Sequence, residues 1–451
     1  MKKAYLVGCL AVAATQCVVV GKPRVTFYGG AQGVVTAVSG KYKYYKGGDP
    51  EQENDDKVSR SSFDTGMPRI VGGETYVGLK AAGAMKNGVE FGALIELDAI
   101  KNDTGVAKAY VWFGEVNYGI IQIGNVKDSA ATYLFGGQQL LGGTGGVDGI
   151  LGDEAEFATG VTSPVYMIGY TNKATKIAYY SPRFYGLQVS CAVTPDTKHA
   201  GHDSRNRGTG SSKVGNDPGL FIPAKKDGDK PSGRMSMSFG LSHRHEWTPK
   251  VRTEFAVVYL RENTRSITLN YAGQDHVIKL KNASSYHITT TLRYGDFAIG
   301  VGYIDSGKSR TPRNFGDFRN EGEDNDDTAI DNGYGGFLCR RGGNAGKAYN
   351  VGVRYTRGDW MFAAAYNHAW RKFNYDQKTK GDVITLTADY KICDGFGAFV
   401  EVSHIDSRSC SEACAQRNAF YNIGKAEADW RAVAIKKQST QVYAVGVKVN
   451  F

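Results

Sequence analysis

The sequence predicts an all-β chain folded as a transmembrane, closed antiparallel barrel of about sixteen strands. Three observations lead there. Segments of about ten residues with period-two hydrophobicity recur along the chain, separated by turn residues. Within them charge gathers on one face and Val, Ile, Leu, Phe and Tyr on the other, whereas a soluble sandwich would bury at least one dry face. The composition agrees: 58 Gly, 27 Tyr and 12% aromatic residues against only 11 Pro, with a hydrophobic share of 41%. That mixture suits many strands joined by turns, aromatic girdles and a polar interior.

The 451 residues could by length be two soluble domains, so the elements carry the argument. Lys2 and Lys3 precede an apolar run from Ala4 to Val20, and Val19 and Gly21 offer small residues for cleavage near Lys22. Residues 1–21 are therefore read as a secretory signal and 22–451 as the barrel domain. A lipid anchor at Cys17 is disfavoured by Gln16, which stands where such signals want Gly or Ala. The run is slightly short for a spanning helix of ~20 residues, and no later segment approaches that length. A chain exported and resident in a membrane must then satisfy its backbone by closing a barrel.

The first strand is read over residues 24–37, with Val25, Phe27, Gly29, Ala31, Gly33, Val35 and Ala37 on one face. Hairpins follow: 76–85 with 89–100 around Asn87-Gly88, 108–113 with 120–126, 175–181 with 187–193, and 235–246 with 252–260. The series continues with 286–293 and 297–304, 349–356 and 360–367, and 382–390 and 396–403. A last strand places Tyr443, Val445, Val447, Val449 and Phe451 on one face and ends on Phe, like the signal that outer-membrane barrels present to their assembly machinery. Connections alternate between tight and long. The tight ones are assigned to the periplasm and the long ones, 40–62, 127–172, 194–234, 261–284, 305–347 and 406–437, to the cell exterior.

Catalytic and binding classes find little support. No His-Glu-x-x-His pair, Gly-x-Ser-x-Gly elbow or phosphate loop ending in Gly-Lys-Ser/Thr occurs, so the chain is read as non-enzymatic. His243 and His245 share a strand face near a rim, where an interfacial contact outweighs metal ligation. Glu321, Glu323, Asp324, Asp326 and Asp327 offer carboxylates for calcium but lack the glycine of an EF-hand loop, so a solvated loop is the main reading and structural Ca²⁺ the alternative. Otherwise no cofactor is expected. Loss of Lys2 and Lys3 lowers the net charge from +10 to +8, and this charge is scattered instead of forming the stripe that nucleic acid requires. It suits a surface facing lipopolysaccharide and solutes. Cys191, Cys339, Cys393, Cys410 and Cys414 follow the signal; Cys410 and Cys414 can bridge each other, either can pair with Cys339, or all are reduced, and the sequence leaves this open.

Three stretches resemble a known family: Val25-Thr26-Phe27-Tyr28-Gly29; Ala109 to Gly114 running on to Ile123-Gly124; and Tyr179-Tyr180-Ser181-Pro182-Arg183-Phe184-Tyr185-Gly186-Leu187-Gln188. They resemble the general diffusion porins of Gram-negative bacteria, particularly the alphaproteobacterial branch. The resemblance implies a bacterial outer-membrane homotrimer of sixteen-stranded barrels, each narrowed by a third extracellular loop folded inward. It further implies loop carboxylates facing basic residues on the opposite wall. On this chain the carboxylates are Asp148, Asp153, Glu154 and Glu156, and alternation offers Lys80, Lys108, Lys176 and Arg244 for the wall, with Arg24 and Arg69 as substitutes. The implied function is passive diffusion of small hydrophilic solutes and ions. The rivals are a barrel adhesin or ligand-specific receptor using its long loops, and an outer-membrane hydrolase.

Overall fold

The computed structural model describes residues 23–45, 58–64, 68–72, 75–98, 105–146, 175–196, 233–264, 267–271, 274–278, 281–307, 309, 346–372, 378–409 and 434–451. The strands are β1 Arg24–Tyr45, β2 Val58–Asp64, β3 Arg69–Gly72, β4 Tyr76–Ala84, β5 Glu90–Asp98, β6 Gly105–Glu115, β7 Gly119–Asn125, β8 Thr175–Tyr180, β9 Leu187–Asp196 and β10 Gly233–Thr248. They continue with β11 Val251–Thr264, β12 Ile267–Tyr271, β13 Gln274–Ile278, β14 Ala283–Tyr294, β15 Phe297–Asp305, β16 Lys347–Arg357, β17 Trp360–Lys372, β18 Lys378–Cys393, β19 Phe396–Ser409 and β20 Ala434–Asn450.

Neighbouring strands pair antiparallel around the sheet, and β1 closes it by pairing β20 from Gly30↔Asn450 to Tyr45↔Ala434. On its other side β1 faces β2, β3 and β4 in turn, so those three pieces make one wall strand. Counted this way the barrel is closed and has sixteen strands. The β12–β13 hairpin stands apart as a two-stranded sheet.

Alternation decides which way each residue turns. In β20, Val442 and Ala444 are fully buried, while Tyr443, Val445, Val447 and Val449 are exposed. The same holds across β15–β18, where Ile299, Val301, Val351, Val353, Ile384 and Leu386 are exposed and Asn350, Thr385 and Thr387 are buried. An exterior so apolar would be unstable in water and matches hydrocarbon. Aromatic rings cluster toward the tight-turn end: Trp360 lies 5.6 Å from Phe362 and 4.7 Å from Tyr390, and Phe297 lies 4.7 Å from Tyr355. The turns between β14 and β15 and between β16 and β17 hold Gly295 and Gly358 at φ of 55° and 59°, a left-handed conformation that side chains resist.

The structure lengthens several strands beyond the alternation read from sequence. β1 runs on to Tyr45 and pairs with β2 across what reads as a loop at 40–62, and the 261–284 connection contains the β12–β13 hairpin. Extra polar pairing of this kind forms where the chain has left the membrane, since a spanning strand needs only about ten residues.

The seam supplies a test. Gly29 and Phe451 exchange backbone hydrogen bonds of 2.9 and 3.1 Å, and a Cβ on Gly29 would lie 2.5 Å from the Phe451 ring and 2.9 Å from the Tyr76 carbonyl oxygen. Gly29→Val should therefore weaken closure by about 1–3 kcal/mol. The expected readout is a lower temperature for loss of the compact gel band of the folded barrel; an unchanged transition would show that the seam accommodates the side chain.

Candidate functional site

The chain leaving β7 lies against the polar face of the wall over residues 127–146. It begins with one helical turn, α1 Ser129–Thr132, capped by Asp128, whose carboxylate accepts from the Ala131 N–H at 2.9 Å. The Ser129 N–H donates to Ser238 of β10, and Ser190 of β9 donates to the Ser129 hydroxyl at 2.7 Å. The Tyr133 hydroxyl reaches Gln188 at 3.1 Å. Thr289 of β14 donates to the Tyr133 carbonyl and accepts from the Phe135 N–H, and Thr291 donates to the Phe135 carbonyl.

The segment then enters a 3₁₀ turn, Gly137–Leu140, and crosses β15–β19. Gly137 donates to Asn350 at 2.6 Å, and Arg354 donates to the carbonyls of Leu140 at 2.5 Å and Gln139 at 3.1 Å. Beyond it, successive N–H groups meet acceptors: Gly142 on Thr387 at 3.0 Å, Gly143 on both Asp389 oxygens at 3.0 and 2.9 Å, Thr144 on Glu401 at 2.5 Å, and Gly146 on Glu401 at 2.9 Å. Hydrogen bonds to charged acceptors contribute about 1.5–3 kcal/mol each. Glycine makes the approach possible, because a Cβ on Gly352 would lie 2.3 Å from the Gly137 carbonyl oxygen and one on Gly300 2.9 Å from the Gly136 backbone.

The basic positions singled out from sequence occupy four different strands and different environments. Lys80 on β4 is exposed, with its ammonium 5.9 Å from the Trp112 ring centroid. Lys108 on β6 pairs with Glu96 at 2.7 Å, and Glu96 also accepts from Tyr28 at 3.1 Å. Lys176 on β8 is 1% exposed and donates to the Val126 carbonyl at 2.5 Å, where the segment departs from the wall. Arg244 on β10 bonds Glu254 at 2.6 Å and lies 5.8 Å from the Phe135 ring centroid, beside the middle of the segment. Asp148, Asp153, Glu154 and Glu156 lie outside the described residues, as do the candidate calcium carboxylates at 321–327 and the cysteines at 339, 410 and 414; Cys191 and Cys393 are free thiols.

Asp389, Glu401, Asn350, Thr387 and Arg354 hold the segment, a role that alternation did not disclose. The available signal was the coincidence of inward carboxylates with the glycine-rich stretch 136–146, whose bare N–H groups need acceptors. Lys448 completes this corner, 3.1 Å from Asp389 and 4.8 Å from the Phe399 ring centroid.

A closed barrel with an apolar exterior and a charged, hydrogen-bonding inner face defines an outer-membrane channel. The model of the family described as Gram-negative porin matches residues 4–409, and the chain belongs to that family. It is 24% identical over 332 residues to an uncharacterised protein of Rickettsia conorii, covering 66% of this chain and 69% of the relative, and 23% identical over 334 residues to one of Rickettsia prowazekii with the same coverage. Among solved structures, the trimer form of OmpT from Vibrio cholerae superposes with a TM-score of 0.51 at 12% identity, covering 96% of this chain and all of that one. An anion-selective porin from Comamonas acidovorans gives 0.50 at 12% identity, covering 95% and 100%. These likenesses show the fold; the family places the chain in the outer membrane.

The clamp generates two expectations. Gly352→Val should displace the glycine turn at 136–137 without opening the wall, and Glu401→Ala should release residues 144–146. Protease cleavage within 133–146 should rise at least tenfold in both variants while the folded gel band persists; wild-type resistance would mean that other contacts hold the segment.

Proposed function

We propose that the chain forms a passive, non-enzymatic pore for small hydrophilic solutes and ions, narrowed by the segment that follows β7. The observation that carries this is the chain of hydrogen bonds from Ser129 to Gly146 along the polar face from β9 to β19. Path length supports placing that segment in the lumen. The wall from β9 to β19 amounts to eight strand spacings of ~4.8 Å, or ~38 Å before tilt, and a path outside the wall is longer still. Residues 129–146, partly coiled in two helical turns, span only ~45 Å.

Planar-bilayer recording tests the reading. Stable ohmic steps are expected, whereas a plugged receptor or adhesin would give none. The four loop acids are proposed to line the narrowing. Neutralising Asp148, Asp153, Glu154 and Glu156 together should shift the reversal potential in a salt gradient toward anion selectivity. Unchanged selectivity with intact conductance would remove them from the constriction and leave the pore reading standing.

A homotrimer is proposed on the small outward residues of the first wall strands, Ala31, Gly33 and Ala93, which permit close approach of a second barrel. The Vibrio cholerae OmpT structure is itself a trimer form. Gly29 is occupied by its own chain's Phe451 ring, so Ala31 gives the cleaner test. Ala31→Trp should lower the detergent stability of the oligomer and Ala364→Trp should not; equal stability would move the interface elsewhere. Lipopolysaccharide is the proposed neighbour of the outward cations Lys347 and Lys380 at the long-loop end. Residues 1–21 are proposed to be removed on export, and no cofactor is assigned.

A further inference from the structure

Arginine is concentrated in one arc of the polar face, toward the tight-turn end. The sheet register places Arg244 opposite Glu254, Arg252 directly opposite Arg293, and Arg293 one position across Ala298 from Arg354. The turn at residues 181–186 adds Arg183, which donates to the Gly186 carbonyl at 3.2 Å, the same oxygen that accepts the Arg244 backbone N–H. Burial first, and Arg244 second, hold the Arg183 guanidinium below its ordinary pKa.

Five guanidinium groups thus share one patch across β10, β11, β14, β16 and the adjoining turn. Among the described residues the carboxylate bonded inside it is Glu254, whose Oε1 receives Arg244 at 2.6 Å and Arg252 at 2.7 Å. Glu246 is the cross-strand partner of Arg252 but forms no ion pair with it among the described residues. Arg354 is committed to the carbonyls of Gln139 and Leu140. Arg293 has no carboxylate partner among the described residues, and it stands directly opposite Arg252, where like charges are destabilising. The patch therefore carries uncompensated positive charge that a small anion would neutralise.

Its position is informative. The Phe135 ring borders it at Arg244 and the Leu140 carbonyl borders it at Arg354, so it lies on the wall that carries the segment, not on the wall facing it. Guanidinium presents a planar fork of N–H donors that matches two oxygens of a tetrahedral oxyanion, a match chloride cannot exploit.

We propose that Arg252 and Arg293, flanked by Arg244 and Arg183, form a binding site for a doubly charged phosphoryl group on the pore wall. The site rests on the channel reading above. Occupied, it would concentrate phosphate-bearing solutes beside the narrowing and compete with their free passage; Arg354, held by the loop, tethers the segment and does not bind the ligand.

The test is single-channel recording in potassium chloride at pH 8 with inorganic phosphate added stepwise. In the wild-type channel the chloride current should fall and saturate at millimolar phosphate. Arg252→Gln with Arg293→Gln should raise the half-saturating concentration at least tenfold, and Lys86→Gln, in the exposed turn between β4 and β5, should leave it within twofold. Arg252→Lys with Arg293→Lys keeps the charge but loses the forks and should weaken phosphate at least threefold; it carries the test if the glutamine pair does not fold, as judged by the compact gel band. A wild-type current that declines without saturating, a glutamine pair with wild-type half-saturation, or a lysine pair that binds as tightly as arginine would each overturn the site while leaving the channel intact. Absence of any steps in potassium chloride would overturn the channel reading and the site together.

Discussion

Every backbone N–H and C=O that enters hydrocarbon must find a partner within the protein, because an unmatched group there costs several kcal/mol. A sheet meets that demand only by having no edge. The pairing of β1 with β20, from Gly30↔Asn450 to Tyr45↔Ala434, is where this sheet loses its edges. Once closed, alternation is no longer free. Residues such as Val445 and Val447 must face lipid, and Thr385, Asn350 and Glu401 are left with the enclosed face. The distribution is a soluble protein turned inside out, and it follows from the solvent more than from any single contact.

Enclosure also changes the worth of the charges inside. Glu401 is fully buried, yet three donors from Thr144 and Gly146 satisfy it. A buried carboxylate left without them would be far more costly than the bonds themselves are stabilising. Segment and wall are therefore mutually dependent: the wall carries acceptors that need donors, and the glycine-rich chain carries donors with no side chains to obstruct them. Substituting either side harms both, which argues that the arrangement is fixed.

Much of the wall is legible in the sequence because its signals are local. Strands begin at Leu187, Phe297, Trp360 and Phe396, as the turns before them indicate, since a glycine or a Gly-Asp pair marks the reversal and the apolar alternation restarts at once. The continuation of β1 to Tyr45 does not read as strand: Lys41, Tyr42, Lys43 and Tyr44 do alternate, but Ser39-Gly40 before them and Gly47-Gly48 after them mark a polar connection. Period two also reveals the face of a residue but neither its depth nor its partner. Lys108 and Lys176 share that face, yet one pairs with Glu96 and the other is buried against the Val126 carbonyl. Asp389 and Glu401 could be read as inward charges, while the N–H groups that they accept lie about 250 residues away, a distance no local pattern spans.

The bonds between Gly29 and Phe451 have a consequence in time. These two residues are 422 positions apart, so the first wall strand is made long before the strand that will cover its open side. Bringing such distant ends together costs roughly 5 kcal/mol of chain entropy before any hydrogen bond forms, and folds dominated by such remote contacts form slowly. Throughout that interval β1 displays an unpaired, glycine-rich edge of the kind that recruits stray strands. Biogenesis of this barrel is accordingly a waiting problem: the edge must be occupied or shielded until β20 arrives, and whatever holds it must then let go.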